Sequence, residues 1–238
     1  MNPINNLPPI VKNLLIINVI FFIGSAIFAS GSTFFFGVFY PDSPFFKIWQ
    51  PITYMFMHGN LMHIVFNMFA VVMFGSIIEQ VLGNKRFLNY YLICGLGALV
   101  LQYGVQAIEV YQITGSIRAH DWLDIDMFNN SIRATRNMNR DDYEVLSSIY
   151  TTPMVGASGA VFGLLLAFAY LFPNMPLQFL FIPVPIKAKY FVGGYIAIEI
   201  YLGFANSGSS IAHLAHVGGA LFGFLLLKTW GIRRSNLY

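Results

Sequence analysis

Residues 156–163 read Gly156-Ala157-Ser158-Gly159-Ala160-Val161-Phe162-Gly163, and an apolar run continues from there to Phe172. A single serine stands among small and apolar residues at the front of this run. In a membrane helix, such a serine lets two helices approach closely while its hydroxyl bonds back to its own helix. A serine at a helix N-terminus can also be a nucleophile, because backbone N–H groups of the first turn can hold an oxyanion. The stretch taken alone favours the packing interpretation but leaves both open.

The composition of the chain indicates a polytopic membrane protein. Of its 238 residues, 57% are hydrophobic and 10% are charged, and the mean hydropathy is +0.65. A soluble domain carries roughly 25% charged residues, so this chain has too little polar surface to cover a water-soluble globule. The single cysteine, Cys94, excludes an intramolecular disulfide and a cysteine zinc site. The net charge of +3 comes without a long basic run, so no nucleic-acid partner is expected.

Six apolar segments have about the length that a membrane helix needs, which is about 20 residues. We expect an all-α bundle of six spans in one domain, at residues 11–29, 60–78, 87–108, 157–172, 190–204 and 211–230. A polar insert at residues 114–152 separates the third and fourth spans and holds six of the ten acidic residues.

Positive charges predict that both termini lie in the cytoplasm and the insert lies outside. In this orientation the inner segments hold eight of the thirteen Lys and Arg residues. No removable signal or targeting peptide is evident at the N-terminus. We therefore expect a multi-pass protein of the inner or plasma membrane of a bacterial cell.

Polar residues gather at the outer ends of three spans in this orientation. Ser158 begins the fourth span, His63 and Asn67 lie in the first turns of the second, and His213 and His216 lie in those of the sixth. His63 and Asn67 share one helix face, either as links between helices or as donors to a developing oxyanion. One histidine of the sixth span could be a general base for Ser158. Zinc is a weaker alternative, because no carboxylate is expected nearby.

A serine–histidine dyad is expected rather than a full triad. Glu79 lies near the inner end of the second span and Glu199 lies in the fifth, and neither is expected to reach the outer level easily. For Glu199 the favoured interpretation is an internal hydrogen bond to a neighbouring span. Without a carboxylate, an aromatic face or close packing has to orient the imidazole, and Phe162, one turn after Ser158, is the candidate.

Small residues in the fourth and sixth spans predict how the serine meets the histidine. The patterns Gly159-x-x-x-Gly163 and Gly219-x-x-x-Gly223 each allow close approach of two membrane helices. If the two faces pack on each other, Ser158 and His216 both lie beside the contact.

Three motifs stand at the outer ends of these spans: His58-Gly59-Asn60-Leu61-Met62-His63-Ile64-Val65-Phe66-Asn67, Gly156-Ala157-Ser158-Gly159 and Ala215-His216-Val217-Gly218-Gly219. With them the chain resembles a rhomboid intramembrane serine protease of the bacterial type with six membrane helices. The resemblance implies Ser158 as nucleophile and His216 as general base. It also implies an oxyanion hole made of His63, Asn67 and the backbone N–H of Ser158. No metal and no cofactor are expected.

The expected function is that of an endopeptidase that cleaves single-span membrane proteins near the outer end of their transmembrane segment, within the lipid bilayer. A non-catalytic rhomboid-like protein that binds membrane clients is an alternative, which the presence of both Ser158 and His216 disfavours. A transporter or channel is another alternative, with Glu199 and the histidines along a path through the full membrane depth. The insert at residues 114–152 either shapes substrate access or is a solvated cap.

Overall fold

The computed structural model describes residues 6–28, 31–126, 131–179, 182–205 and 211–232. The helices are, in chain order, α1 (Pro9–Phe28), α2 (Gly31–Phe36), α3 (Gln50–Thr53), α4 (Leu61–Ala70), α5 (Ser76–Leu82), α6 (Asn84–Thr114), α7 (Arg140–Thr151), α8 (Ser158–Leu171), α9 (Ala188–Ala205) and α10 (Ile211–Thr229). A π-helical turn, Val71–Gly75, joins α4 and α5 into one continuous helix. Two antiparallel strand pairs are also present, β1 (Leu123–Asp126) with β2 (Ser131–Ala134) and β3 (Pro176–Phe179) with β4 (Ile182–Lys187).

The long helices fall on the six segments predicted to span the membrane. Among the described residues, three helices are long and apolar enough by length and composition to cross a bilayer: Pro9–Phe28, Leu61–Leu82 and Asn84–Thr114. The largest difference from the prediction is in α6, which begins at Asn84 rather than residue 87 and ends at Thr114 rather than residue 108. Glycines with positive φ flank this helix, Gly83 at 74° and Gly115 at 73°, a conformation that glycine adopts without a Cβ penalty.

The extra length of α6 supports the polar insert. Val110, near the C-terminal end of α6, is buried against Leu123 of β1 and against Leu146, Ile149 and Tyr150 of α7. The apolar residues of the insert are scattered in sequence because they come from a hairpin and a helix. In three dimensions they form a small core of their own.

Asp42 connects the loop between α2 and α3 to the insert. Its Oδ2 accepts hydrogen bonds from the backbone N–H of Ala119 at 2.9 Å and of His120 at 3.2 Å, and from the hydroxyl of Tyr150 at 2.7 Å. The hydroxyl of Ser43 donates to the carbonyl of Tyr150 at 2.6 Å. The loop and the insert are therefore held together as one folded unit.

The helix α8 lies at the centre of the bundle. Ten of its fourteen residues are buried, on every side of the helix, as expected of a helix surrounded by others. Fourteen residues make a helix about 21 Å long at 1.5 Å per residue, against a hydrocarbon core of about 30 Å. A helix this short cannot extend across the whole hydrocarbon core.

A backbone contact brings α8 against α10. A Cβ built on Gly219 would overlap the carbonyl oxygen of Gly159, and one built on Gly163 would lie 3.3 Å from the carbonyl oxygen of Gly219. The predicted packing of these two helices through glycine is therefore confirmed. Gly223 instead faces α6, where a Cβ would overlap the hydroxyl of Tyr90.

Glu79 anchors the N-terminal end of α1. Its two carboxylate oxygens accept hydrogen bonds from the backbone N–H of Ile10 at 2.9 Å and of Val11 at 2.8 Å, and the residue is 1% exposed. These N–H groups have no acceptor within α1, and the carboxylate also meets the positive end of the helix dipole.

His58 is buried in the turn before α4. It is 5% exposed, and its ring centroid lies 5.0 Å from that of His63. Burial lowers the pKa of His58 from 6.5 to about 4, and the nearby His63 acts in the same direction. The ring is therefore neutral in the folded protein at neutral pH.

We expect Gly219→Ala to destabilise the bundle by roughly 1–3 kcal/mol or more, because the added methyl group meets backbone rather than a side chain that can move. Gly104→Ala is the matched control, since a Cβ at this position in α6 has nothing within 4 Å. It should stabilise the protein by up to about 1 kcal/mol through helix propensity. Thermal unfolding of the purified proteins in detergent measures both effects. Equal stability of the two variants would contradict the backbone contact.

We expect acid to weaken the fold partly through His58. The unfolded chain takes up a proton on this ring as the pH falls below about 6.5, whereas the folded protein resists protonation until about 4. This contribution to stability is complete above about pH 6.5 and declines as the pH falls from there to about 4. His58→Gln should flatten that part of the plot of unfolding temperature against pH, and an unchanged slope would refute the assignment.

Candidate active site

Ser158 is the first residue of α8. Two residues before it stands Gly156, whose backbone conformation is strained for any residue with a side chain. Gly156 has φ 131°, and its N–H donates to the carbonyl of Tyr54 at 2.9 Å. The first intrahelical bond of α8 runs from the N–H of Val161 to the carbonyl of Ala157 at 3.0 Å. Helix geometry therefore leaves the N–H of Ser158 without an acceptor inside α8. This backbone N–H can therefore donate a hydrogen bond to an oxyanion that forms beside Ser158.

His216 bonds directly to Ser158. Its Nε2 lies 2.9 Å from the Oγ of Ser158, and its ring stacks on Phe162 with centroids 4.3 Å apart and planes 6° from parallel. Phe162 follows Ser158 by one turn of α8, so one helix supplies both the hydroxyl and the aromatic face. The packing expected between Phe162 and the histidine is confirmed.

Glu199 reaches the same imidazole, contrary to the expectation that it would not easily reach the outer level. Its Oε2 lies 2.9 Å from the Nδ1 of His216 and 2.8 Å from the Nδ1 of His213. The carboxylate is buried, with the residue 4% exposed. The favoured hydrogen bond to a neighbouring span is present, but its partners are the two histidines of α10.

The depth of Glu199 explains why the expectation was wrong. Glu199 lies six residues before the end of α9 at Ala205, or about 9 Å below it at 1.5 Å per residue. His216 lies five residues after the start of α10 at Ile211, or about 7.5 Å below it. Glu199 and His216 therefore lie at a similar distance from the adjoining ends of α9 and α10, which brings the carboxylate to the level of the imidazole. An acid inside a span is in itself a signal of function.

His63 covers the other side of Ser158. A Cβ built on Gly156 would lie 2.9 Å from the Cε1 and Nε2 of His63 and 3.5 Å from the Oγ of Ser158. The Nδ1 of His63 accepts a hydrogen bond from the N–H of Gly59 at 3.4 Å. A neutral imidazole that accepts at Nδ1 carries its proton on Nε2. His63 thus directs an N–H donor towards the space above Gly156.

Asn67 lies one turn further into α4. It is 5% exposed, and its side-chain N–H₂ donates to the carbonyl of His63 at 3.0 Å. An amide nitrogen carries two hydrogens, so one N–H is committed to its own helix and one is available. Among the described residues, no hydrogen bond joins Asn67 to Ser158.

Glu199, His213 and His216 also offer a set of metal ligands. Their ligand atoms lie within 4.8 Å of one another, and two histidines with a glutamate form a known zinc set. Zinc was the weaker alternative in the sequence analysis because no carboxylate was expected nearby, and the position of Glu199 removes that objection. In the structure the Nδ1 atoms of His213 and His216 both hydrogen-bond to the Oε2 of Glu199. The absence of a metal stays a prediction.

Comparisons with known proteins agree on the family. A family profile described as "Rhomboid domain" matches residues 46–233. "Rhomboid protease GluP" of Bacillus subtilis (strain 168) is 26% identical over 190 residues, which make up 80% of this chain and 27% of that protein. "Rhomboid protease AarA" of Providencia stuartii is 28% identical over 185 residues, 75% of this chain and 54% of that protein.

A further relative matches over a shorter stretch. "RHOMBOID-like protein 6, mitochondrial" of Arabidopsis thaliana is 43% identical over 53 residues, 22% of this chain and 17% of that protein. The chain thus spans less than two thirds of the length of the relatives it matches. The profile, in contrast, extends over most of this chain and includes the helices that carry Ser158, His63 and His216. The chain belongs to the rhomboid family.

Proposed function

We propose that this multi-pass membrane protein is an intramembrane serine endopeptidase in which Ser158 is the nucleophile and His216 the general base. The observation that carries the proposal is the 2.9 Å hydrogen bond between Ser158 Oγ and His216 Nε2 at the N-terminus of the buried helix α8. A serine becomes nucleophilic when a neighbouring base can take its proton. The names of the relatives GluP and AarA, both rhomboid proteases, support the same activity.

The reaction begins with attack of Ser158 Oγ on the carbonyl carbon of the scissile peptide bond, while His216 Nε2 takes the hydroxyl proton. The negative charge then develops on the former carbonyl oxygen. The backbone N–H of Ser158 and the Nε2–H of His63 stabilise it, and the free N–H of Asn67 adds a third donor. Such donors contribute most in a buried site, where they are already oriented before the charge appears.

The substrate class follows from the depth of the site. In this proposal the N-terminal end of the short helix α8 holds Ser158 below the outer surface, so that the peptide that reaches it is the outer end of a transmembrane helix. A single-span membrane protein can approach the bundle through the bilayer and present that end. Its helix has to unwind locally, because the peptide bonds of a helix are shielded. Water has to reach Ser158 for hydrolysis, so the site has to open to the outside.

The orientation is part of the proposal. With both termini in the cytoplasm, the insert and the outer ends of α4, α8 and α10 face outward, as the distribution of Lys and Arg favours. The inner or plasma membrane of the cell is the proposed location.

The two alternative functions receive less support. A client-binding protein without activity would not need a hydroxyl bonded to a stacked imidazole. A transport path would need polar groups through the full membrane depth, whereas Glu199 bonds to the histidines of the site.

We expect Ser158→Ala and His216→Ala to abolish cleavage of a single-span model substrate in proteoliposomes, with expression and unfolding temperature near those of the wild type. A fluorophosphonate probe should label the wild type and leave Ser158→Ala unlabelled, because the probe reacts with an activated serine hydroxyl. Cleavage by Ser158→Ala at the wild-type rate would sink the proposal.

We expect Gly156→Ala to lower kcat at least about 100-fold, the scale of a lost oxyanion donor. The methyl group would meet the ring of His63 at 2.9 Å, and φ 131° strains any residue with a Cβ. Gly193→Ala in α9 is the control, because a Cβ there has nothing within 4 Å. The measurement is steady-state cleavage in detergent, and wild-type kcat in Gly156→Ala would show that His63 need not occupy this position.

A further inference from the structure

We propose that Glu199 is the third member of the site, so that catalysis runs through a Ser158–His216–Glu199 triad rather than a dyad. The proposal rests on the proposed serine protease function and deepens it. Glu199 does not touch the reacting atoms in this scheme. It is a positioning residue that acts through His216.

The three groups form one continuous chain of hydrogen bonds. Ser158 Oγ lies 2.9 Å from His216 Nε2, and His216 Nδ1 lies 2.9 Å from Glu199 Oε2. The residues come from three different helices, α8, α10 and α9. A hydrogen bond that served only to join α9 to α10 would not need to end on the imidazole that contacts the serine.

The carboxylate determines which ring nitrogen of His216 carries the proton. An ionised carboxylate can only accept hydrogen bonds, so the Nδ1 that bonds to Glu199 is the protonated one. The Nε2 of a neutral imidazole then keeps its lone pair and can accept the hydroxyl proton of Ser158. Phe162 restrains the plane of the ring, at 6° from parallel, but a stacked ring can still carry its proton on either nitrogen. Only the hydrogen bond to Glu199 determines which of the two ring nitrogens carries the proton.

Glu199 also stabilises the charge that appears on His216 during the reaction. As the bond from Ser158 Oγ to the substrate carbon forms, the carbonyl π electrons move to the oxygen and the hydroxyl proton moves to His216 Nε2. The imidazole then carries protons on both nitrogens and one positive charge. The carboxylate keeps its negative charge and is not protonated. The proton on Nε2 later passes to the leaving amine nitrogen when the peptide C–N bond breaks.

His213 holds the carboxylate in place. Its Nδ1 lies 2.8 Å from the same Oε2 that bonds to His216, and its side chain is 25% exposed, against 6% for that of Glu199. A buried carboxylate needs donors to offset the loss of water. With two imidazole N–H groups on one oxygen, Glu199 has little freedom to turn away from His216.

The experiment compares Glu199→Gln, Glu199→Asp and Glu79→Gln with the full-length wild type in proteoliposomes. Glu79→Gln is the matched control, because it changes a second buried glutamate, at the inner end of α1, in the same way. The readouts are kcat and KM for a single-span substrate, the rate of fluorophosphonate labelling, and the unfolding temperature.

We expect Glu199→Gln to lower kcat and the labelling rate at least 100-fold with KM within threefold of the wild type, because the amide removes the charge and can donate to Nδ1, which moves the proton to Nε2. Glu199→Asp keeps the negative charge on a shorter side chain, so its kcat and labelling rate should be at least tenfold higher than those of Glu199→Gln. Glu79→Gln should lower the unfolding temperature while kcat stays within threefold.

A measurement on the wild type covers the case in which Glu199→Gln does not fold. The ¹⁵N NMR spectrum of histidine-labelled protein, assigned with His216→Gln, should show the proton of His216 on Nδ1. A neutral His216 with its proton on Nε2 would overturn the triad.

Other outcomes would also overturn it. A kcat within threefold of wild type in Glu199→Gln would leave the protease as a dyad, with the proposed function intact. Equal activity of Glu199→Gln and Glu199→Asp would show that a negative charge at this position does not contribute to catalysis. Activity that a chelator removes and Zn²⁺ restores would make Glu199, His213 and His216 metal ligands. A wild type that neither cleaves nor labels would overturn the proposed function and the triad together.

Discussion

The site depends on the backbone contact between α8 and α10. With no Cβ on Gly219, the carbonyl of Gly159 can lie directly against α10. Gly159 follows Ser158, and Gly219 lies less than one turn after His216. The distance between the helix axes therefore largely determines the distance between hydroxyl and imidazole. Close packing of helices in a membrane relies on small residues because lipid provides no hydrophobic force between helices. Packing and proposed chemistry thus depend on the same few atoms.

Two buried glutamates show how the bundle accommodates negative charge. A carboxylate away from water is costly unless donors satisfy it. Glu79 meets two backbone N–H groups at the N-terminal end of α1, where the partners belong to the helix itself. Glu199 hydrogen-bonds with the Nδ1 atoms of two histidines, and one of these rings, that of His216, also bonds to Ser158. The first arrangement holds helices together, whereas the second also orients a ring whose other nitrogen faces a hydroxyl.

The end of the molecule that carries the insert is organised around Asp42. This carboxylate joins the loop between α2 and α3 to the insert through Ala119, His120 and Tyr150. The same insert rests on the extended C-terminal end of α6 through Val110. Since α6 also contacts α8 through the glycines of α8, a continuous set of packed elements leads from the insert to the helix that carries Ser158.

Residue type and local spacing were enough to predict the helical segments and the serine at the start of α8, because hydropathy and the period of a helix are local in sequence. The glycine patterns and the position of Phe162 indicated that α8 would pack on the sixth span and face one of its histidines, whereas the choice of His216 came from the family resemblance. The position of Glu199 beside His216 was decided by the tertiary structure, because the relative depth of two helices depends on where each one begins in the membrane. The donor direction of His63 likewise depends on Gly59 and on the backbone of Gly156, which only the fold brings together.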